Sequence, residues 1–348
     1  MLNHYSEHDR DSSADAKTTA ASCTSSGLPF TVSFSVAAPP AASSFHGHWV
    51  GGDGVGGTPA SDGDDEYSGS DDDCSYCSYA IADRKHSNEP QLKIIAAHDD
   101  AVLIEMMPCE RGSYSASAEA DTSDYFLYQA GAGRRPPSLS LLPGCYVSMQ
   151  YQSDKDARQV PTATPKARDL SCWNDTGILR RGEGEVLVAE LEMPPLYGAL
   201  CNTAELFVLR PGGHHWVLKR VPIMHHEGDG ELRRWTEMDA VVPVGSRFMS
   251  WVDYTSGFLV CDMAEENPKL RYVPLPLLPP KMRHRSIDRP DMHYCRNLAA
   301  AGSGAVRFVS VAPRCCCGGP GTTTCECSSS AFNVTTWTLA LGMEETMA

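Results

Sequence analysis

Apolar residues recur along this chain in short runs: FTVSFSV, LKIIAA, AVLIEMM, DYFLYQA, EVLVAELEM, AELFVLR, HWVLKRV, MDAVVPV, RFMSWVD, FLVCDM, LRYVPL and AVRFVSV. Each run has the length of a strand, is rich in β-branched and aromatic residues, and is bounded by Gly, Pro, Asp or Asn. No window sustains the i, i+3, i+4, i+7 stripe of a helix, and only short pieces such as PPLYGALCN have the composition of a helical turn. The pattern predicts an all-β, mainly antiparallel protein. Many short strands with frequent turns leave a sandwich, a barrel or a propeller as ways to dispose of exposed edges.

The stretch from Arg247 to Pro276 narrows the choice. RFMSWVD alternates, TSG supplies a tight turn, FLVCDM is almost continuously apolar, AEENP turns again, and LRYVPLP gives a third strand before a proline stop. This predicts a meander with Trp251 in the core. A strand buried on both faces between half-buried neighbours suits the inner part of a propeller blade, where one sheet packs against the next. AELFVLRPGGHHWVLKRVPI repeats the rhythm around a turn at Pro211-Gly212-Gly213. The fold expected is therefore propeller-like, complete or open.

Between the runs lie polar segments. Residues 1–27 show no period that buries a face and are expected to form a disordered tail. Flexible insertions are expected at about 51–79, where glycines accompany clustered Asp residues, at 151–168 and at 314–330, followed by a short tail at 342–348. Residues 28–341 then make one domain. Ser70, followed by Asp71, Asp72 and Asp73, has the setting of a site for an acid-directed kinase, with a solvated spacer as the plainer reading.

Composition changes the picture mainly by exclusion. A formal charge of −15 at pH 7 disfavours a phosphate-binding surface, so no nucleic-acid partner is expected. The N-terminal segment has neither a signal-peptide core nor a membrane-length apolar run, so an intracellular protein of cytoplasm or nucleus, with no membrane partner, is expected. In that setting the scattered Cys109, Cys145, Cys172, Cys201, Cys261 and Cys295 read as buried thiols, and the sequons at Asn174 and Asn333 carry little weight.

Candidate chemistry is sparse. Cys74 and Cys77, with Cys315, Cys316, Cys317, Cys325 and Cys327, could supply thiolates to zinc, but the groups lie far apart and lack the spacing of a zinc knuckle. His214-His215 sits at a turn and His225-His226 in a Gly-rich loop, where surface histidines are ordinary. No nucleophile elbow, zinc-protease helix, phosphate-binding loop or dinucleotide fingerprint occurs. Asp253 and Asp262 flank one hairpin and read as turn and strand-end residues. No catalytic residue, cofactor or metal is assigned.

The residues carry a resemblance as well. FTVSFSVAAPP, EPQLKIIAAHDDAVLIEM, DYFLYQA, GILRRGEGEVLVAELEM, ELFVLRPGGHHWVLKRV, WVDYTSGFLVCD and LRYVPLP, in that order, resemble the plant domain-of-unknown-function family 1618, expanded in grasses. WVDYTSGFLVCD is the most specific element. The resemblance marks Trp251, Asp253, Gly257, Asp262, Pro274 and Pro276 as structural motif residues. More distantly the chain is similar to the kelch-like domains of F-box proteins, which implies recognition of a protein or peptide rather than catalysis. The function expected is a non-enzymatic interaction or scaffold module. The alternatives are an enzyme with a pocket at the sheet ends and a truncated family member with little function.

Overall fold

A computed structural model describes residues 17–38, 41–49, 90–107, 123–147, 166–170, 174–193, 202–224, 238–276, 292–313 and 332–342. Every regular element in them is a β-strand. The first sheet holds β1 (Ala20–Cys23), β2 (Pro29–Ser35) and β3 (Ser44–Trp49). The second is β4 (Gln91–His98), β5 (Ala101–Met107), β6 (Asp124–Gln129) and β7 (Ser138–Leu141), followed by a small ladder of β8 (Cys145–Val147) and β9 (Lys166–Arg168).

The third sheet is β10 (Thr176–Gly182), β11 (Glu185–Glu192), β12 (Thr203–Leu209) and β13 (Val217–Met224). The fourth is β14 (Ala240–Val244), β15 (Phe248–Asp253), β16 (Gly257–Asp262) and β17 (Leu270–Pro274). The fifth is β18 (Arg296–Ala300), β19 (Ala305–Pro313) and β20 (Phe332–Ala340). Within every sheet, sequence neighbours pair antiparallel.

Alternation along the strands makes the sheets stack face to face in chain order. In β11, Val186 and Val188 join Leu103 and Tyr125 of the second sheet in one core cluster, whereas Leu187, Ala189 and Leu191 join Met249, Trp251 and Leu259 of the fourth in another. A strand covered on both sides has no face left to solvent, hence the apolar run from Val186 to Leu191, which only the buried Glu190 interrupts. The other interfaces follow the same rule. Phe30 and Phe34 meet Phe126 and Tyr128 between the first two sheets, with ring centroids 4.8 Å apart for Phe30–Phe126 and 4.5 Å for Phe34–Tyr128. Val252, Phe258 and Val260 meet Leu298, Val306 and Phe308 between the last two.

The arc is propeller-like. β10 lies against β4 and β14, and β14 against β18, so the leading strands of successive sheets line one side of the arc. Gly47 of β3 belongs there too, since a Cβ on it would fall 2.5 Å from Leu92 Cδ1 of β4. On the other side β13 and β17 pair in parallel through Ile223↔Leu270 and Met224↔Arg271, fusing the third and fourth sheets into one eight-stranded, nearly closed, barrel-like sheet. Equivalent strands of neighbouring blades run the same way, hence the parallel contact. Among the described residues no core cluster joins the fifth sheet to the first.

Two expectations need correction at their margins. Order begins before Leu28: β1 pairs with β2 through Ala20↔Val32 and buries Ala20, so the last part of the supposed tail at 1–27 is an edge strand. Lys166–Arg168, inside the insertion expected at 151–168, pairs as β9 with β8. PPLYGALCN lies outside the described residues except for Asn202.

Candidate functional site

The motif WVDYTSGFLVCD forms the hairpin of β15 and β16, in register Trp251↔Leu259 and Asp253↔Gly257. Trp251 is wholly buried, and its Nε1–H donates to the Asp175 carbonyl of the third sheet at 2.8 Å. Asp253, also buried, organises the turn. Its Oδ1 accepts from the Thr255 amide at 2.7 Å and the Thr255 hydroxyl at 2.5 Å, and its Oδ2 accepts from the Ser256 hydroxyl at 2.6 Å. Gly257 has no room for a side chain, because a Cβ would lie 2.5 Å from the Val273 carbonyl oxygen and 2.6 Å from the Tyr272 ring.

Asp262, at the far end of β16, accepts from Arg247 Nε at 2.7 Å and from the Ala264 amide at 3.0 Å. The two aspartates thus occupy opposite ends of one hairpin, Asp253 at the turn and Asp262 at the open end, and do not converge. Pro274 ends β17 and pairs with Gly257, and Pro276 follows it on the surface. Cys261 beside Asp262 is buried, and that burial pushes its thiol up to about 12, so it stays protonated.

The turn also ties the fourth sheet to the fifth. The Tyr254 amide donates to Asp239 Oδ2 at 2.6 Å, Arg296 Nη1 donates to the Tyr254 carbonyl, and the Leu298 amide donates to the Tyr254 hydroxyl at 3.3 Å. Burial raises the Tyr254 phenol and lowers the Arg296 guanidinium relative to their ordinary ranges.

A polar group that the sequence did not single out joins the second and third sheets. Asp100 Oδ2 accepts from Arg180 Nη2 at 3.1 Å and from Arg135 Nη2 at 3.4 Å, while His98 Nδ1 accepts from the Arg180 amide at 2.9 Å. Arg180 Nη1 and Asp100 Oδ1 are buried with no partner. Asp99, in the same turn, has φ 54°, a left-handed conformation that Asp tolerates better than most residues. Burial, reinforced by Arg180 and opposed by Asp99, lowers the His98 pKa from its ordinary value. At the other end of this interface Tyr125 is held protonated by burial and by the nearby Glu105 and Asp169 carboxylates.

The loop RPGGHH is exposed and has a fixed shape. The Gly213 amide donates to the Arg210 carbonyl at 2.9 Å, and Gly212 takes φ 68°, which suits glycine. Trp216 Nε1–H donates to the Pro143 carbonyl at 2.9 Å and so pins this loop to the one running from Leu141 to Tyr146. Tyr146 is 64% exposed, and Arg210, His214 and His215 are exposed beside a half-buried Trp216.

His225, His226, Ser70 and the cysteines at 74, 77, 315–317, 325 and 327 lie outside the described residues. Among the described residues no three His, Cys, Asp or Glu side chains converge to hold a metal ion. None of the described helices is long and apolar enough to cross a membrane, there being none at all.

Residues 251–347, which begin at the motif tryptophan and run through the fifth sheet, match the sequence model of a family described as protein of unknown function, DUF1618. No curated protein matches the chain, and no solved structure does.

Proposed function

We propose that this chain, which belongs to the DUF1618 family through its C-terminal part, is a non-enzymatic protein-interaction module. It recognises a partner protein on the surface made by loops 141–146 and 210–216. The Trp216–Pro143 hydrogen bond at 2.9 Å carries this reading, because it ties together two loops from adjacent sheets, one of which carries the exposed Tyr146 and the other Arg210 and Trp216. Trp, Tyr and Arg dominate binding hot spots, and a patch that is already ordered loses little entropy when it docks. An apolar side chain flanked by a carboxylate has the chemistry to suit the rings of Tyr146 and Trp216 and the guanidinium of Arg210. The proposed setting is a reducing compartment of cytoplasm or nucleus, where the free thiols of Cys23, Cys145, Cys261 and Cys295 persist.

Photo-crosslinking from position 146 in the native tissue tests the reading. Discrete protein adducts are expected, retained in the presence of a chelator and lost in the Arg210→Glu chain, with an unchanged melting temperature. Adduct patterns identical with and without the Arg210 substitution would overturn it.

A further inference from the structure

The outer edge of β20 stands apart from the other features. Over nine residues, FNVTTWTLA, it carries no charge and no proline, and its ladder with β19 runs from Pro313↔Phe332 to Ala305↔Ala340 without a register shift. Eight of its nine side chains are exposed, including Phe332 at 65% and Val334 at 57%. Among the described residues no strand pairs with its other side, although the second, third and fourth sheets each have four strands and the fifth has three. Natural edges are protected by charge, proline, a bulge or brevity. β20 has none of these.

The hydrogen-bond phase fixes which backbone groups face outward. The Leu341 amide donates to the Gly304 carbonyl, and the Val311 amide donates to Cys295 on the β18 side. In an antiparallel ladder bonded pairs alternate, so Asn333, Thr335, Trp337 and Leu339 bond β19. Phe332, Val334, Thr336, Thr338 and Ala340 aim their N–H and C=O groups at the open edge. Those five residues are symmetric about Thr336.

We propose that two copies of this chain pair antiparallel through β20, with Thr336 on the two-fold axis. Phe332 then lies opposite Ala340 of the second copy, and Val334 opposite its Thr338, so the largest exposed side chain meets the smallest. Up to about ten interchain backbone hydrogen bonds satisfy the open edge. Charge favours this element as the meeting point. The chain carries −15 overall, yet residues 292–313 and 332–342 contain Arg296 and Arg307 and no Asp or Glu. Two fifth sheets therefore meet without bringing carboxylates of the described residues together, and charges beyond about 10 Å are screened at 0.1 M salt. This inference is independent of the loop surface proposed above.

Sedimentation equilibrium of the full chain, with hydrogen exchange at low and high concentration, tests it. A reversible dimer is expected, with the amides of Val334, Thr336 and Thr338 gaining protection as concentration rises while that of Thr335 is protected throughout. Thr336→Pro removes one outward N–H from each copy and no bond to β19, so the melting temperature of the monomer should hold while the association constant falls roughly tenfold or more. Thr336→Lys, with its backbone intact, should also dissociate the dimer, and Thr336→Val should keep it. A chain that stays monomeric at high micromolar concentration, or a dimer as tight in Thr336→Pro as in the parent, would overturn the proposal.

Discussion

The hairpin β15–β16 and the hairpin β19–β20 are made of the same materials and end in opposite environments. Both are antiparallel, apolar and β-branched, and both carry a tryptophan. Trp251 is sealed between the third and fourth sheets with its N–H bonded to Asp175, whereas Trp337 stacks on Phe308 at 5.6 Å and stays half-buried on an open sheet. Strand character is therefore a local property, legible in alternation and composition. What covers a strand is decided by elements far away in sequence.

The largest test of this contrast is Trp251→Ala. Removing a fully buried indole should cost about 3–5 kcal/mol, read as a lower denaturation midpoint with an unchanged slope. A loss below about 1 kcal/mol would mean that the two hairpins are not so different. Next comes the turn. Asp253→Ala leaves the Thr255 amide and the hydroxyls of Thr255 and Ser256 without their acceptor, and a loss of about 1–3 kcal/mol is expected, with Asp253→Asn intermediate. Asp253→Asn as stable as the parent would show that the charge contributes nothing.

Most of the fourth sheet was legible. RFMSWVD, FLVCDM and LRYVPLP predict strands that the structure places at Phe248–Asp253, Gly257–Asp262 and Leu270–Pro274. The Asp253 turn has a local cause, a short carboxylate bonding the next amide, whereas the close approach that leaves Gly257 no room for a side chain comes from β17 and has no signal in its own segment. β1 escaped notice because AASC has no apolar alternation, and only its pairing with β2 orders it. The His98–Asp100–Arg180 group escaped notice because Arg180 is 80 residues from Asp100 and nothing in either segment signals the other. The Trp216–Pro143 link is hidden for the same reason, although the exposed turn beside it was expected.

A smaller effect follows from His98. Its pKa is lowered in the folded protein, so the unfolded chain binds the proton more readily. The neutral form's contribution to stability is then complete above the unfolded value, near pH 6.5, and is lost as pH falls from there toward the folded value. His98→Gln should flatten the pH dependence of the melting temperature between about pH 7 and 5.5. A parallel profile in both chains would remove His98 from the interface account. The smallest effect belongs to the open hairpin: Phe332→Ser, assayed on dilute monomer, should change stability by no more than about 0.5 kcal/mol. A larger loss would show that Phe332 is covered after all.

The parallel clasp of β13 with β17 has a consequence for how the molecule comes apart. Each sheet is a meander of contiguous chain, so each can zip up early from short-range contacts. Two of them are then welded at both margins, β10 against β14 and β13 against β17, and neither opens without exposing the cluster around Trp251. The third and fourth sheets should therefore exchange their slowest amides as a single cooperative unit, while β18 to β20, held by one face, open at lower free energy. The family match from 251 to 347 crosses that seam: its first strands, up to Pro274, belong to the unit expected to open last, and β18 to β20 to the part expected to open first.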